Sequence, residues 1–188
     1  MQWIAVSGYH ADNIGPALLG GFVLIRKCKK DEPVELLRLP FARAADLFFV
    51  LVNPKFEAPT KKMRAALPKE TPMASMINNC TQGGSLVAGI LMNDIKLLGQ
   101  ALDSDVIIEP ARAPLIPGML EVKAAAKAAG AYGCTISGAG PTAVAICEDA
   151  AVAEKVKLAM CVAFVSAGGH EINSAVVVKL DPEGAKFV

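Results

Sequence analysis

The sequence predicts an α+β fold in which helices pack on one face of a mostly antiparallel sheet. Hydrophobic residues make up 53% of the 188-residue chain, enough to bury a substantial core. From residue 46 onward the hydrophobic pattern gives the order strand, helices, strand, strand, helix, strand, which is typical of such a layer. The chain contains no internal repeat and no low-complexity linker, and its length suits one domain or one and a half.

The beginning of the chain predicts short apolar elements. A small helix is expected over 14–19, ending at the two glycines that follow it. Residues 22–25 predict a strand, with 36–39 as its partner across a turn rich in Lys, Asp and Glu.

The middle of the chain predicts one buried strand and then helices. The uninterrupted apolar run 46–52 indicates a central strand. Thr60 is expected to cap a short helix, and residues 73–92 carry apolar side chains at helical spacing. Asp94 is expected to cap a further helix that runs to about residue 102.

The last third predicts a loop, two helices and three strands. Residues 105–118 are punctuated by prolines and predict a loop, and 119–129 predict a helix. Two β-prone runs then flank a glycine-containing loop at 137–142. A helix with one apolar face covers 152–167, and the last strand is expected over 174–180.

Composition excludes several classes of function. The net charge of +1 and the lack of an aromatic-plus-basic motif give no indication of a nucleic-acid partner. No apolar run is long enough to predict a membrane span, and no signal peptide is expected at the start. The five cysteines form no C-x-x-C or Cys/His pairs, which argues against a zinc site or a disulfide framework and suits a reducing compartment.

The loop at 137–142, Ser-Gly-Ala-Gly-Pro-Thr, has the composition of an anion-binding turn. Gly138 and Gly140 lack a Cβ, so the backbone can reach positive φ and another group can come close to it. Successive N–H groups in such a loop form a concavity that suits anions. The alternative reading is a plain tight turn between two strands.

Three polar side chains precede the first predicted helix. His10, Asp12 and Asn13 bring together an imidazole, a carboxylate and an amide. At a helix N-terminus such groups can hold a hydroxyl, an amine or a phosphate. The alternative is helix capping by Asp12 or Asn13.

Two arginines are candidates for binding a carboxylate. Arg64 follows a Pro-Thr turn, and Arg112 lies in the proline-rich stretch after Glu109. Guanidinium groups bind carboxylate and phosphate through paired N–H donors, so the two side chains together predict a clamp. The alternatives are a solvated helix face around Arg64 and an exposed ion pair between Arg112 and Glu109.

Four motifs, in order along nearly the whole chain, resemble those of the homoserine kinases, a family within the GHMP superfamily of small-molecule kinases. The likeness is to the plant-type enzymes. The motifs are His10-Ala-Asp-Asn13, Pro59-Thr-Lys-Lys-Met-Arg64, Glu109-Pro-Ala-Arg-Ala-Pro-Leu-Ile-Pro-Gly118 and Ser137-Gly-Ala-Gly-Pro-Thr142.

The resemblance implies a fold, a reaction and roles for the candidate residues. Residues 46–188 would form the ferredoxin-like GHMP C-terminal domain, and residues 1–45 would be a remnant of the N-terminal domain. The reaction would be ATP- and Mg²⁺-dependent phosphorylation of the homoserine hydroxyl, for threonine biosynthesis, in the plastid stroma or the cytoplasm. A homo-oligomer is possible, and no nucleic-acid or membrane partner is expected. The residues carried over for substrate binding are His10, Asp12, Asn13, Arg64 and Arg112, with the loop residues Ser137, Gly138, Ala139, Gly140 and Thr142.

The chain departs from the family pattern in its first part. The glycine/serine phosphate loop does not occur, and residues 1–9 contain no Asp or Glu in the place of the family's acidic Mg²⁺ ligand. The sequence assigns neither a catalytic base nor a metal ligand. We therefore expect the chain to be the C-terminal part of such a kinase and inactive by itself. The alternative is a non-catalytic amino-acid-binding or regulatory module derived from one.

Overall fold

The computed structural model describes residues 10–27 and 33–186 and has the predicted α+β architecture. The predicted turn at 28–32, Cys28 and residues 1–9 lie outside the described residues. The helices are α1 (Ala11–Leu19), α2 (Thr60–Ala65), α3 (Met73–Met92), α4 (Ile95–Leu102), α5 (Ile108–Arg112), α6 (Met119–Ala128) and α7 (Ala150–Ser166), with a 3₁₀ segment at Ala113–Leu115. The strands are β1 (Phe22–Lys27), β2 (Glu35–Leu39), β3 (Phe48–Pro54), β4 (Gly133–Ile136), β5 (Ala143–Cys147) and β6 (Ile172–Lys179).

The main sheet has four strands in the order β4-β5-β3-β6, and every neighbouring pair is antiparallel. Val50 at the centre of β3 lies opposite Ala145 of β5 and Val177 of β6. With helices between β3 and β4 and one helix between β5 and β6, this is a ferredoxin-like arrangement. Strands β1 and β2 form a separate antiparallel hairpin.

The two faces of the main sheet carry separate hydrophobic clusters. On one face, Val50 and Val52 pack with Met119 of α6 and with Met160 and Phe164 of α7. The sequence predicts helices on one face of the sheet, and α6 and α7 are the helices found on this face.

The second face is covered by an additional pair of helices. There Ile146 packs with Leu98 of α4 and Ile90 of α3. Helix α4 approaches so closely that a Cβ on Gly133 would lie 1.8 Å from the Gly99 carbonyl oxygen. Only glycine fits at this contact, and the sequence pattern did not reveal it.

The stretch predicted as a loop, 105–118, instead contains α5 and the 3₁₀ segment. The reason is Asp105, whose carboxylate accepts hydrogen bonds from the N–H groups of Ile107 at 2.9 Å, Ile108 at 3.0 Å and Glu109 at 2.7 Å. Burial raises the pKa of Asp105, but these bonds and one from an asparagine amide outweigh it, and the pKa is lowered below its usual range. A proline in the first turn of a helix gives up no needed donor, so Pro110 is compatible with α5.

Two predicted helix starts were wrong by a few residues. Helix α1 begins at Ala11, with His10 at the N-cap position, so Asp12 and Asn13 lie in its first turn. Helix α2 begins at Thr60 with Pro59 as N-cap, so Thr60 is the first helical residue rather than the cap. Neither N-cap side chain, His10 or Pro59, accepts a hydrogen bond from its helix.

The first elements contact the end of the chain. The N–H of Gly21 donates to the carbonyl of Asp181 at 2.7 Å, and the N–H of Ala185 donates to the carbonyl of Ala17 at 3.0 Å. Leu18 of α1 is 52% exposed. The predicted boundary between residues 45 and 46 stays a prediction.

Candidate functional site

Nearly all of the predicted site residues line one cavity of about 390 Å³, which we call the loop cavity. Its lining consists of His10, Asp12, Asn13, Thr60, Arg64, Arg112, Ser137, Gly138, Ala139 and Gly140. Thr142 is the one predicted residue that does not line it, and Thr60 is a lining residue that sequence reasoning had considered only as a cap. The position of Thr60 four residues before Arg64, one helical turn away, was the signal that would have found it.

The glycine loop, residues 137–142, connects β4 to β5. It is closed by a hydrogen bond from the N–H of Ser137 to the carbonyl of Thr142 at 2.8 Å, and another from Gly140 to Ser137 at 3.0 Å. Gly138 has φ 58° and Gly140 has φ 88°, which favours glycine at both positions. The N–H groups of Gly138 and Ala139 make no hydrogen bond within the described part of the chain. The loop therefore offers two backbone donors at the cavity.

Arg112 is anchored at the edge of the loop cavity by backbone carbonyls. Its Nε donates to Met63 of α2 at 3.3 Å, and its Nη1 donates to Gly138 at 3.1 Å. Two of the five guanidinium N–H groups are thereby used, and about three remain for a ligand. The alternative of an Arg112–Glu109 ion pair is not what the structure shows, because Glu109 bonds to Lys123 and Thr135.

Arg64 is the contrasting arginine of the site. It is exposed on α2, and its side chain makes no hydrogen bond or ion pair with the residues the structure describes. The neighbouring Lys61 and Lys62 are also exposed but do not line the loop cavity. Of the three cationic side chains Lys61, Lys62 and Arg64, Arg64 alone lines the loop cavity.

The first turn of α1 supplies the remaining polar groups. The carbonyl of His10 accepts from the N–H groups of Asn13 and Ile14, both at 3.1 Å. The side chains of Asp12 and Asn13 do not cap α1, and both are exposed. Among residues 10–27 and 33–186, Asp12 is the only carboxylate in the lining, so these residues combine two guanidinium groups with one counter-charge.

A second polar cluster, which we call the edge cluster, lies on the other side of α5 and was not predicted. It consists of Asp103, Glu109, Lys123, Lys127 and Thr135. Glu109 is only 6% exposed and contacts the Lys123 ammonium, while Asp103 binds Lys123 at 3.1 Å and Lys127 at 2.7 Å. Burial lowers the pKa of Lys123, but its hydrogen bond and charge interaction with Glu109 outweigh this, and the pKa is raised. The backbone N–H of Cys134 donates to Asp103 at 3.4 Å, so the cluster also covers part of the free edge of β4.

Comparison with known proteins identifies a domain within the chain. Residues 86–166 match the family model described as GHMP kinases C terminal. These residues belong to a GHMP kinase C-terminal domain. The chain is 57% identical to homoserine kinase from Arabidopsis thaliana over 183 residues, covering 97% of this chain and 48% of that protein. Homoserine kinase from Chlorobaculum tepidum is 40% identical over 98% of this chain and 55% of its own length.

A solved structure supports the same assignment. The crystal structure of homoserine kinase from Cytophaga hutchinsonii aligns with a TM-score of 0.86 and 38% identity, over 97% of this chain and 56% of that one. The chain therefore spans about half the length of the relatives it matches.

The described residues do not fit a metal site. Among residues 10–27 and 33–186, no three His, Cys, Asp or Glu side chains come together in a way that suits an ion. The helices of the same ranges include none with the length and apolar character needed to cross a membrane.

Proposed function

We propose that the protein acts in the ATP-dependent phosphorylation of the L-homoserine hydroxyl and that the loop cavity binds homoserine. One observation carries the proposal. Arg64, Arg112 and the glycine loop, which are far apart in sequence, line one small cavity, and two N–H groups of the loop make no hydrogen bond with the residues that the structure describes. They do so in a chain that is 57% identical to a homoserine kinase.

Each group in the cavity has a chemical role in this proposal. Arg64 binds the α-carboxylate with paired N–H donors, and Arg112 adds its remaining donors from the anchored side. Asp12 interacts with the α-ammonium group. His10 and Asn13 hold the side chain and its hydroxyl. The glycine loop places its backbone N–H groups near an anionic oxygen, where fixed donors stabilise developing charge. Catalysis of this type depends on positioning the hydroxyl, and no residue is assigned as a base.

ATP is the proposed phosphoryl donor, with Mg²⁺ as its metal. The described residues provide no metal site, so no step of the reaction is assigned to Mg²⁺ here. We assign ATP and Mg²⁺ binding to the part of the relatives that this chain does not span, and we propose that the 188-residue chain is inactive alone. In the same proposal residues 1–45 belong with that part, and residues 46–188 form the C-terminal domain. The product would enter threonine biosynthesis, in the plastid stroma or the cytoplasm.

The proposal is tested by calorimetry on the 188-residue chain. L-homoserine is expected to bind, whereas L-homoserine amide, which lacks the carboxylate, and L-2-aminobutyrate, which lacks the hydroxyl, are expected to bind more weakly. A kinase assay with ATP, Mg²⁺ and homoserine is expected to show no turnover. A folded chain that fails to bind homoserine contradicts the proposed site, and sustained turnover contradicts the proposed inactivity.

A second candidate is a non-catalytic amino-acid-binding or regulatory module. It is favoured by one contrast: the described residues bring two guanidinium groups together at the loop cavity, while they include no cluster that suits a metal ion. The two candidates differ when a separately purified homoserine kinase is added. A regulatory module changes the KM or kcat of that enzyme, and light scattering then shows whether it joins the enzyme or forms a homo-oligomer. A chain that leaves the enzyme unchanged contradicts this second role.

A further inference from the structure

Asn53 does not line the loop cavity, yet it is bonded to the glycine loop. It lies at the end of β3, where its Nδ2 donates to the Oγ1 of Thr142 at 2.8 Å. The carbonyl of Thr142 in turn accepts the hydrogen bond from Ser137 that closes the loop. Asn53 therefore holds the point at which the loop returns to β5.

Side chains hold the loop at two points. Arg112 bonds the carbonyl of Gly138 at 3.1 Å, and Asn53 bonds Thr142 at 2.8 Å. The N–H of Ala139 lies between these two contacts along the chain, and the N–H of Gly138 immediately precedes the first; neither makes a hydrogen bond with the described residues. A Cβ at Gly138 would meet no atom within 4 Å, so the space on that side of the loop is open.

We infer that Asn53 is a positioning residue for the site and acts through Thr142. By fixing the end of the loop, it keeps the N–H groups of Gly138 and Ala139 in the geometry that binds an anionic oxygen of the ligand. Donors that are already oriented bind without an ordering cost, which is why such a distant hydrogen bond affects affinity. The inference rests on the proposed function, because that function supplies the anionic ligand.

A double-mutant cycle on the 188-residue chain tests the inference. The variants are Asn53→Leu, Thr142→Val and the two combined, and the probe is O-phospho-L-homoserine, the product of the proposed reaction. Each single change removes one hydrogen bond and is expected to weaken probe binding roughly fivefold. The combined variant is expected to lose no more than the weaker-binding single variant, because both changes break the same contact. Thr142→Ser keeps the hydroxyl and is expected to bind like the wild type.

Thr81→Val is the matched control. The Thr81 hydroxyl donates to the carbonyl of Ile77 at 2.9 Å on the exposed side of α3, away from the loop cavity. The same chemical change there is expected to alter the unfolding temperature and not the affinity for the probe.

Three results would overturn the inference, and they differ from one another. In the first, the Asn53 and Thr142 variants change the unfolding temperature but bind the probe like the wild type, which would mean that Asn53 has only a structural role. Losses that multiply in the combined variant show that Asn53 does not act through Thr142. A wild-type chain that binds neither the probe nor L-homoserine removes the proposed function together with the inference.

Discussion

Two polar clusters flank the short helix α5, and they differ in how their charges are paired. Glu109 faces the edge cluster and Arg112 faces the loop cavity, although only two residues separate them in the sequence. In the edge cluster each charged group has an oppositely charged partner; Glu109 is buried, and the side chain of Lys123 is 13% exposed. In the loop cavity Arg64 has no partner among the described residues, and Arg112 bonds only carbonyls.

This difference in charge pairing indicates a structural role for the edge cluster and a binding role for the loop cavity. Buried charges persist only where partners compensate for their lost hydration, which is the situation of Glu109 and Lys123. Exposed charges that converge on a cavity without partners retain their capacity to bind a ligand. Removing a charge should therefore reduce stability in the edge cluster and reduce affinity in the loop cavity.

The largest expected effect is a loss of stability when a charge is removed from the edge cluster. Lys123→Met leaves the buried Glu109 carboxylate without its cation and is expected to lower the free energy of unfolding by about 3–5 kcal/mol, measured in urea. Lys127→Met is the control, because Lys127 is half exposed, and a loss of at most about 1 kcal/mol is expected. Since the pKa of Lys123 is raised above 10.5, its contribution is present below pH 10.5 and is lost as the pH rises through the raised value. Similar losses in the two variants would contradict the distinction between paired, buried charges and exposed ones.

The next largest effect is on homoserine binding, and it is expected to come with a loss of stability at only one of the two arginines of the loop cavity. Arg64→Met and Arg112→Met are each expected to weaken L-homoserine binding about 10- to 100-fold, because each removes charged hydrogen bonds to the carboxylate. Arg64→Met should leave the free energy of unfolding within about 0.5 kcal/mol of the wild type, since Arg64 has no partner among the described residues. Arg112→Met should also lower that free energy by about 1–2 kcal/mol, because Arg112 bonds Met63 and Gly138. Calorimetry and urea unfolding together check this, and equal stability losses in the two variants would refute it.

A smaller effect concerns the capping of α5, which carries residues of both clusters. Asp105→Asn weakens the acceptor for three backbone N–H groups and is expected to cost about 1–2 kcal/mol of stability. Since the pKa of Asp105 is lowered from 3.8, its contribution is present above pH 3.8 and is lost as the pH falls through the lowered value. The difference between wild type and variant should therefore shrink in acid, as followed by unfolding between pH 7 and pH 2. A difference that stays constant down to pH 2 would show that the Asp105 charge is not involved.

The smallest effect tests the glycine loop against a glycine elsewhere. Gly138→Ala meets no atom but places alanine at φ 58°, which is expected to cost about 1 kcal/mol of stability and to weaken homoserine binding. Gly83→Ala in α3 also meets no atom, but there a helical alanine is expected to add up to about 1 kcal/mol. Opposite signs in thermal unfolding support the assigned loop geometry, and a stabilising Gly138→Ala contradicts it.

Hydrophobic patterning predicted most of the framework. The strand predicted over 46–52 is β3 at 48–54, the strand predicted over 174–180 is β6 at 172–179, and the two runs around the glycine loop are β4 and β5. Runs of apolar and β-branched residues favour strands whatever their neighbours are. The helix at α5 was missed because its cap, Asp105, satisfies three N–H groups in a stretch whose prolines suggested a loop. The cover on the second face was missed because it depends on contact between Gly99 and Gly133, which no local pattern shows.

The sequence by itself determined the α+β class, the glycine loop and the residues gathered at the loop cavity apart from Thr60, because periodicity, backbone freedom and motif spacing are local properties of the chain. The tertiary structure alone decided which charges are paired. Glu109 bonds to Lys123 and Thr135 while Arg112 turns to Met63 and Gly138, since α5 presents its two sides to different parts of the fold. The free-energy cost of burying a charge depends on partners that the fold brings together from distant positions in the sequence. The edge cluster has such partners for its charges, and the loop cavity does not have them among the described residues.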